Sequence, residues 1–567
     1  MNGASAVSPA GPSARPARLP WDRYWLLIAP VVAMLVVVYL LPLLHVLWIS
    51  LSEPAVGLQN YREIFTTPAV LRILARTLRI CLFTTLLAVL IGYLIAYALV
   101  HVGPRQRLAM MFGVLLPFWI SVLIRAFAWV YALGDTGPVN SALMALGVIG
   151  DPIAMVRSEV GVVIGMVHYM VPYAVLPMFS NLQGIDPVFV RAARGLGAGG
   201  WTTFFRVYLP MSLPGIAGAG ILVFIFSLGF FVTPVILGGG RTVMVSEYIN
   251  MEMLTLTHWG LATALAAILL MAVLSILALV ARSSTSASCS APSEEQAMNA
   301  SSKWQSRLVV GAAWCFIALL VVPILVAFPV SLTPHEYLSM PQDEVSLRHY
   351  RQIFEDEEWR GSMAQSFVVA VASSAIAVVL GTLSAIGLWK ISSRASEAVR
   401  VFLLLPMIVP PIVSALVFYK LWADLRLLDS YVGLVVAHAI LNVPYVVVTV
   451  SASLSTLGRK IELAARNLGA NTWQTLWHVI VPSIRTGIAS GALFAFILSW
   501  DELVVTLFIS GRAIVTLPRR MWDGIRDNVN PSIAAVSSVF ILLTCVAMLV
   551  HAVRAGRKAR RRTGTDI

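Results

Sequence analysis

Two adjacent carboxylic acids, Asp501 and Glu502, lie inside a long apolar stretch at residues 487–510. Charged side chains in such a stretch are costly in lipid, so they usually face a protein interior or an aqueous pathway. Acidic groups in a poorly solvated site attract a cation, such as an ammonium group. On a continuous helix, neighbouring side chains point about 100° apart, so at most one of these two faces a pathway. A second interpretation stays open, in which a buried carboxylate is protonated or paired with Arg125.

Three polar side chains in another apolar stretch are spaced at i, i+4 and i+7, which places them on one helical face. They are His438, Asn442 and Tyr445. Such a row lines a pathway or joins neighbouring helices through hydrogen bonds, and the sequence leaves both interpretations open. Three aromatic side chains in apolar stretches are candidates for stacking on a cation, although packing is the commoner role. They are Trp129, Tyr169 and Trp500.

The composition indicates that these residues belong to membrane-spanning helices. Hydrophobic residues make up 59% of the 567 residues and charged residues only 12%, whereas soluble domains carry about 25% charged residues. A spanning helix needs about 20 mostly apolar residues, and twelve stretches of the chain meet this requirement. They are residues 26–50, 78–101, 108–132, 159–182, 214–237, 259–281, 308–331, 366–389, 400–423, 431–454, 487–510 and 532–553. We therefore predict an all-α polytopic membrane protein whose first span is retained.

The charge distribution predicts the orientation of these spans. Twelve spans place both termini on one side, and assigning that side to the cytoplasm gives the cytoplasmic segments the excess of Lys and Arg. The net charge is +13, and part of it lies in the tail Arg554–Arg562. This tail is expected near anionic lipid of the bilayer. The sequence therefore predicts a multi-pass protein with cytoplasmic termini and no nucleic-acid partner.

The chain repeats itself. The motif NYREIF at Asn60 returns as HYRQIF at His349, 289 residues later, and VPY at Val171 returns at Val443, 272 residues later. Each half contains an even number of spans, so the two six-helix repeats are parallel. The predicted organisation is a disordered tail at 1–25, a first half at 26–281 with its core at 73–281, a linker at 282–307, a second half at 308–553 with its core at 362–553, and a basic tail at 554–567.

A polar loop occurs at corresponding cytoplasmic positions of both halves. It reads RAARGLGAGGWTTFFRVYLP from Arg191 and LAARNLGANTWQTLWHVIVP from Leu463. Each copy is predicted to form a short helix that ends at a glycine, followed by an amphipathic helix and a proline before the next span. Two helices lying on the lipid surface are one interpretation. Two copies at matching positions favour a paired docking surface for a two-fold partner.

These loops resemble the EAA loop of permeases in binding-protein-dependent ABC importers. The acidic position of the family pattern holds Arg191 and Leu463 here, and Glu462 lies one residue early. The resemblance implies the type I ABC transmembrane fold, two copies of an ATPase subunit that receive the loops, and an extracytoplasmic substrate-binding protein. It also implies the bacterial inner membrane. The residues that match the coupling loops are Arg191, Ala192, Ala193, Gly197, Trp201 and Pro210 in the first half, and Glu462, Ala464, Ala465, Gly469, Trp473 and Pro482 in the second.

The two halves are also similar to the B-type and C-type permeases of spermidine/putrescine importers. The first half contains SLGFFVTPVILGG from Ser227, and the second contains NVPYVVVTVSASL from Asn442 and SWDELVV from Ser499. This resemblance implies a polyamine or a related small cation as the substrate. Related permeases carry aminophosphonates, opines or ferric iron, which are the alternatives.

The chain lacks the motif that would let it bind ATP itself. A Walker A loop requires Lys followed by Ser or Thr, and no lysine in the sequence is followed by either residue. ATP and Mg²⁺ are therefore expected in the partner subunits. No catalytic motif and no metal-ligand spacing is found, which predicts a transport subunit rather than an enzyme. An ion-coupled secondary transporter is the rival prediction, and a passive channel leaves the paired loops unexplained.

Overall fold

The computed structural model describes residues 24–283 and 303–546, except residues 338, 342–343, 392, 458, 529 and 544. All regular secondary structure in these residues is helical. The predicted tails at 1–25 and 554–567 lie almost entirely outside the described residues, and so do residues 284–302 of the predicted linker at 282–307, whose two ends belong to α14 and α15.

The first half contains fourteen α-helices and two π-helical segments. The π-helical segments are Val36–Leu40 and Phe204–Tyr208. The α-helices are α1 (Trp25–Leu35), α2 (Leu41–Ser52), α3 (Gln59–Thr66), α4 (Pro68–His101), α5 (Pro104–Phe118), α6 (Val122–Ala132), α7 (Pro138–Ala145), α8 (Glu159–Gln183), α9 (Pro187–Gly195), α10 (Gly200–Thr203), α11 (Leu209–Leu228), α12 (Val232–Gly238), α13 (Val245–Leu254) and α14 (Trp259–Ser283).

The second half follows the same plan, with one π-helical segment in its described residues at Leu476–Ile480. Its α-helices are α15 (Lys303–Leu325), α16 (Ala327–Ser331), α17 (Arg348–Glu355), α18 (Glu357–Lys390), α19 (Arg394–Leu403), α20 (Leu405–Ile408), α21 (Pro411–Leu425), α22 (Tyr431–Ser455), α23 (Arg459–Asn467), α24 (Thr472–Thr475), α25 (Val481–Ser483), α26 (Arg485–Asp501), α27 (Val504–Ile509), α28 (Leu517–Asn528) and α29 (Ser532–Leu543).

Eight helices of the described residues are long and apolar enough to cross a membrane, and two bent helix pairs bring the number to ten. The bent pairs are α5 with α6, at 94°, and Thr472–Ser483 with α26, at 68°. Several of the twelve predicted spans are therefore bent or divided helices rather than straight ones. The predicted ninth span, 400–423, is divided among α19, α20 and α21, and the twelfth, 532–553, extends beyond the described residues.

The breaks in the predicted spans have local causes. In the ninth predicted span, Pro410 and Pro411 stand where α21 begins, and proline cannot donate the backbone hydrogen bond that would continue a preceding helix. In the third predicted span, Pro117 lies inside α5, and the break follows it at residues 119–121. The fifth and eleventh predicted spans, 214–237 and 487–510, end their long helices at Leu228 and Asp501. A short helix, α12 or α27, follows each break. Four spans thus break at matching points of the two halves.

The first helix of each half packs on the other half. Helix α1 lies against α18, so closely that a Cβ atom at Gly387 would stand 2.6 Å from Cγ1 of Ile28. Helix α15 lies against α4 and α5, and a Cβ atom at Gly113 would stand 2.4 Å from Cγ2 of Ile317. Within the halves, α4 packs on α8 and α11, and α18 packs on α22 and α26. The exchange of first helices joins the two repeats into one body around their interface.

Candidate functional site

A cavity of about 220 Å³ lies between the two halves. The first half contributes residues of α8 and the end of α11, and the second half contributes residues of α22, the end of α26 and the proline-rich segment between α20 and α21. The polar and aromatic residues of its lining are Tyr169, Tyr173, Phe226, Phe230, Ser414, His438, Asn442, Tyr445, Ser499 and Glu502. Helix breaks border the cavity, at the ends of α11 and α26 and before α21.

The lining residues come from equivalent positions of the repeat. Tyr173 and Tyr445 lie 272 residues apart, as do Phe230 and Glu502, and all four line the cavity. The cavity therefore lies at the pseudo-two-fold interface of the halves. Its two walls differ in chemistry, since the first half places an aromatic ring where the second half places a carboxylate.

Glu502 faces the cavity and also ends a helix. Helix α26 stops at Asp501, and the Glu502 Oε1 atom accepts a hydrogen bond of 2.9 Å from the Val505 backbone N–H in the first turn of α27. This bond holds the carboxylate at the start of a helix, where negative charge is favoured. The expectation of one continuous helix through both acids is wrong, because α26 ends at Asp501 and Glu502 lies just beyond it.

Asp501 is not among the residues that line the cavity. Its carboxylate lies within reach of the Ser121 hydroxyl and the Val122 backbone N–H, at the start of α6 in the other half. Gly229 and Pro410 form the equivalent contact between the halves. They lie so close together that a Cβ atom at Gly229 would stand 2.8 Å from the proline Cβ. The structure thus separates the two acids, with Glu502 at the cavity and Asp501 at a contact between halves.

Arg125 is buried on α6, with 5% of its surface exposed. Its guanidinium carbon lies 4.0 Å from the centroid of the Tyr169 ring, a cation–π contact. The Nε and Nη1 atoms have no hydrogen-bond partner in the described part of the chain, and no carboxylate described there lies within 4.0 Å of them. The Arg125 side chain therefore packs against one cavity-lining tyrosine, and the ion pair with a carboxylate that the sequence left open is not formed within 4.0 Å among the described residues.

The polar row on α22 makes hydrogen bonds between helices and lines the cavity as well. His438 contacts the Ser499 hydroxyl through Nδ1 at 2.8 Å and the Thr506 hydroxyl through Nε2 at 3.1 Å. Asn442 donates to the carbonyl oxygen of Ala495 at 3.1 Å. The two interpretations of the row are therefore compatible, because these bonds fix α22 against α26 and α27 beside the cavity.

Two of the predicted aromatic residues pack away from the cavity. The Trp129 ring meets His168 edge-on at 5.5 Å between centroids, and Trp500 lies between Phe496 and Phe540. Neither tryptophan is among the lining residues. Tyr173, Phe226 and Phe230 also line the cavity and were not predicted from the sequence. The repeated VPY motif was the available signal for Tyr173, since its second copy contains Tyr445.

The two polar loops that begin near Arg191 and Leu463 form matching helical hairpins. In the first half α9 ends at Gly195, and Gly197 follows with a left-handed φ of 85°. In the second half α23 ends at Asn467, and Gly469 follows with a φ of 87°. Glycine adopts this conformation without the clash that a Cβ atom would cause. Each predicted helix break is therefore present at its glycine.

The loops differ in how they join the following span. Pro210 lies near the start of α11, within one apolar helical unit from Gly200 to Leu228. Pro482 lies in α25, and this unit meets α26 at an angle of 68°. The proline that was expected to precede a new span therefore marks a bend only in the second half.

The loops present apolar side chains on their surface. Trp201 is 69% exposed and Trp473 is 63% exposed. Ala192 and Ala464 are exposed, whereas Ala193 and Ala465 are half-buried. The acidic position of the expected pattern also faces outward, with Arg191 and Leu463 exposed. Glu462 points inward, and it forms ion pairs with Lys390 and Arg466.

These features define a membrane permease built of two similar halves. The family model of the binding-protein-dependent transport system inner membrane component matches residues 88–283 and 377–559. The two matches cover more than half of the chain, so the chain belongs to this family. The family consists of transport subunits of the bacterial inner membrane. The predicted fused two-half permease is confirmed.

Among its relatives, the chain is 33% identical over 221 residues to the spermidine/putrescine transport system permease protein PotB of Haemophilus influenzae, covering 39% of this chain and 77% of that protein. It is 27% identical over 247 residues to PotC of the same organism, covering 43% of this chain and 96% of that protein. The chain is about twice as long as each of them. A crystal structure of a bacterial alginate ABC transporter, in complex with a pentasaccharide-bound periplasmic protein, contains a chain that aligns with 47% of this one at 21% identity, with a TM-score of 0.41.

Proposed function

We propose that this chain forms the translocation pathway of an ATP-driven importer for a polyamine or a related small organic cation. The observation that carries the proposal is the cavity between the halves, in which the carboxylate of Glu502 faces a wall of aromatic rings. The relatives named for spermidine and putrescine transport support the same class of substrate.

The cavity matches the chemistry of an alkyl ammonium ion. A carboxylate accepts charge-assisted hydrogen bonds from an ammonium group, and aromatic faces attract the same charge. Tyr169, Tyr173 and Tyr445 supply such faces around Glu502. The volume of about 220 Å³ corresponds to roughly seven water molecules. A slender amine chain fits this space, with its methylene groups against the aromatic and aliphatic side chains.

The alternative substrates fit this lining less well. Among the residues that the structure describes, Glu502 is the only acidic residue of the cavity lining, and no described Lys or Arg side chain is part of that lining. A phosphonate or the carboxylates of an opine would meet negative charge with no cation to pair with. For ferric iron, the described residues contain no group of three or more His, Cys, Asp or Glu side chains placed to hold a metal ion.

The partners in this proposal follow from the two cytoplasmic loops. One ATPase subunit docks on each loop through exposed side chains such as Trp201 and Trp473, and these subunits bind ATP and Mg²⁺. A substrate-binding protein delivers the cation to the outer face. Both termini lie in the cytoplasm, in agreement with the distribution of Lys and Arg. Closure of the ATPase subunits then rocks the halves and exposes the cavity to alternate sides.

The test is reconstitution of the chain with its ATPase subunits and a candidate binding protein. We expect spermidine or putrescine, loaded on the binding protein, to stimulate ATP hydrolysis and to accumulate in the vesicles. Aminophosphonate, opine and ferric-loaded binding proteins serve as comparisons. Uptake without ATPase subunits would identify an ion-coupled transporter and refute the proposal. Stimulation by an anionic solute alone would refute the substrate class.

A further inference from the structure

The acidic residue of the second loop is engaged inside the permease rather than presented to a partner. Glu462 lies on α23, and its carboxylate forms ion pairs with Lys390 and with Arg466, the latter at 3.0 Å. The side chains of Lys390 and Glu462 are only 9% and 14% exposed. A poorly solvated ion pair is strongly coupled, because removing one charge leaves the other without compensation.

The ionic cluster around Glu462 reaches two transmembrane helices from different halves, one directly and one through Arg466 on the same loop helix. Lys390 is the last residue of α18 in the second half. Arg466 donates a hydrogen bond of 3.0 Å to the hydroxyl of Tyr24, which directly precedes α1 of the first half. The Lys390 ammonium also lies 5.6 Å from the centroid of the Tyr24 ring. Since α1 and α18 are packed tightly at Gly387, one ionic cluster joins the loop to a rigid pair of helices.

The first half lacks this cluster at the equivalent positions. Val190 corresponds to Glu462, at an offset of 272, and His101 corresponds to Lys390, at an offset of 289. His101 stacks on Tyr97 at 4.1 Å between ring centroids, and both rings lie against Tyr208. The first loop is therefore held by apolar and aromatic packing, and the second by charge.

We infer that Glu462 is a positioning residue that fastens the second coupling loop to α18 and α1 through Lys390 and Arg466. This inference rests on the proposed function, because it assigns the cluster a role in transmitting ATPase movement to the spans. The absence of an acid at Leu463 then has a structural counterpart. The carboxylate of the preceding residue, Glu462, holds the loop to the membrane helices, whereas the side chain of Leu463 stays exposed on the surface of the loop.

The test is a charge exchange in the assembled transporter, with Lys390→Glu, Glu462→Lys and the double variant measured beside the wild type. The readout is solute taken up per ATP hydrolysed, together with the amount of ATPase subunit that co-purifies. We expect each single variant to keep its ATPase subunits and to lose uptake per ATP by roughly tenfold. We expect the double variant to recover part of this loss, because the exchanged pair between positions 390 and 462 is restored while the lysine at position 462 still faces Arg466. Glu462→Gln keeps the size of the side chain, and the same ratio is expected to fall severalfold.

The exposed ion pair between Glu397 and Arg400 on α19 provides the matched control. These side chains are 66% and 44% exposed, so exchanging their charges is expected to leave uptake per ATP unchanged. Single variants with the wild-type ratio, or a double variant no better than the single ones, would overturn the inference. If reversal prevents assembly, a wild-type ratio in Glu462→Gln overturns it equally. A wild-type transporter without ATP-dependent uptake would instead refute the proposed function.

Discussion

Replacing Glu502 with glutamine tests the cavity directly. The amide keeps an oxygen that can accept the bond from Val505, so the start of α27 is preserved. What the substitution removes is the negative charge in the lining. We expect the purified permease to bind spermidine more weakly and the transporter to take it up more slowly.

The size of this effect follows from the geometry of a buried charged hydrogen bond. A full charge pair at 4 Å is worth about 4 kcal/mol at an effective dielectric constant of 20, which is an upper limit. Net contributions of hydrogen bonds to charged groups are about 1.5–3 kcal/mol. We therefore expect the Kd of the permease for spermidine to rise roughly 10- to 150-fold.

The assay is equilibrium binding of labelled spermidine to the purified permease, followed by uptake into vesicles with all partners present. Asp501→Asn is the matched control, because it removes a neighbouring charge that does not line the cavity. Binding by that variant is expected to change less. The double variant is expected to show impaired uptake. Wild-type binding and uptake by Glu502→Gln would refute the role of Glu502, and equal losses in both single variants would refute the separation of the two acids.

Three further predictions concern two features of backbone geometry and the carboxylate of Asp429, which lies between α21 and α22. Gly229→Ala places a Cβ atom 2.8 Å from a proline of the other half. We expect this overpacking to cost about 1–3 kcal/mol, to slow uptake and to lower the melting temperature. Gly218→Ala is the control and is expected to behave as wild type, because its Cβ atom would meet no atom within 4 Å. Alanine at Gly197 or Gly469 costs about 1–2 kcal/mol, because each residue has a left-handed backbone conformation. The double variant is expected to lose its ATPase subunits on purification, while each single variant retains them. Retention by the double variant would contradict a role of these turns in docking. Burial alone would raise the pKa of Asp429, but bonds from four backbone N–H groups outweigh it and lower the pKa below the usual 3.8. The ionised carboxylate therefore stabilises the folded protein at neutral pH, and this stabilisation is lost as the pH falls below 3.8. Asp429→Asn should lower the melting temperature at pH 7, and in acid its melting temperature should approach that of the wild type. An equal difference in melting temperature at both pH values would contradict this.

The sequence by itself determined the class of the protein. Apolar stretches of spanning length, the excess of Lys and Arg on one side, and motifs repeated at fixed offsets are all local properties of the chain. They predicted the helical membrane fold, the two halves and the paired loops. The left-handed glycines were also predictable, because the end of a helix depends on the residue that occupies it. Five of the residues that line the cavity, Tyr169, His438, Asn442, Tyr445 and Glu502, were also named from the sequence, as polar or aromatic side chains in apolar stretches.

The tertiary structure decided what each candidate residue does. Asp501 and Glu502 are adjacent in sequence, but the helix ends between them, so one lines the cavity and the other meets α6 of the opposite half. Trp129 and Trp500 became packing residues because their neighbours come from other helices. The partner of Glu462 is Lys390, at the end of a different helix. Helical periodicity gives the face on which a side chain lies, whereas its burial and partners depend on helices distant in sequence.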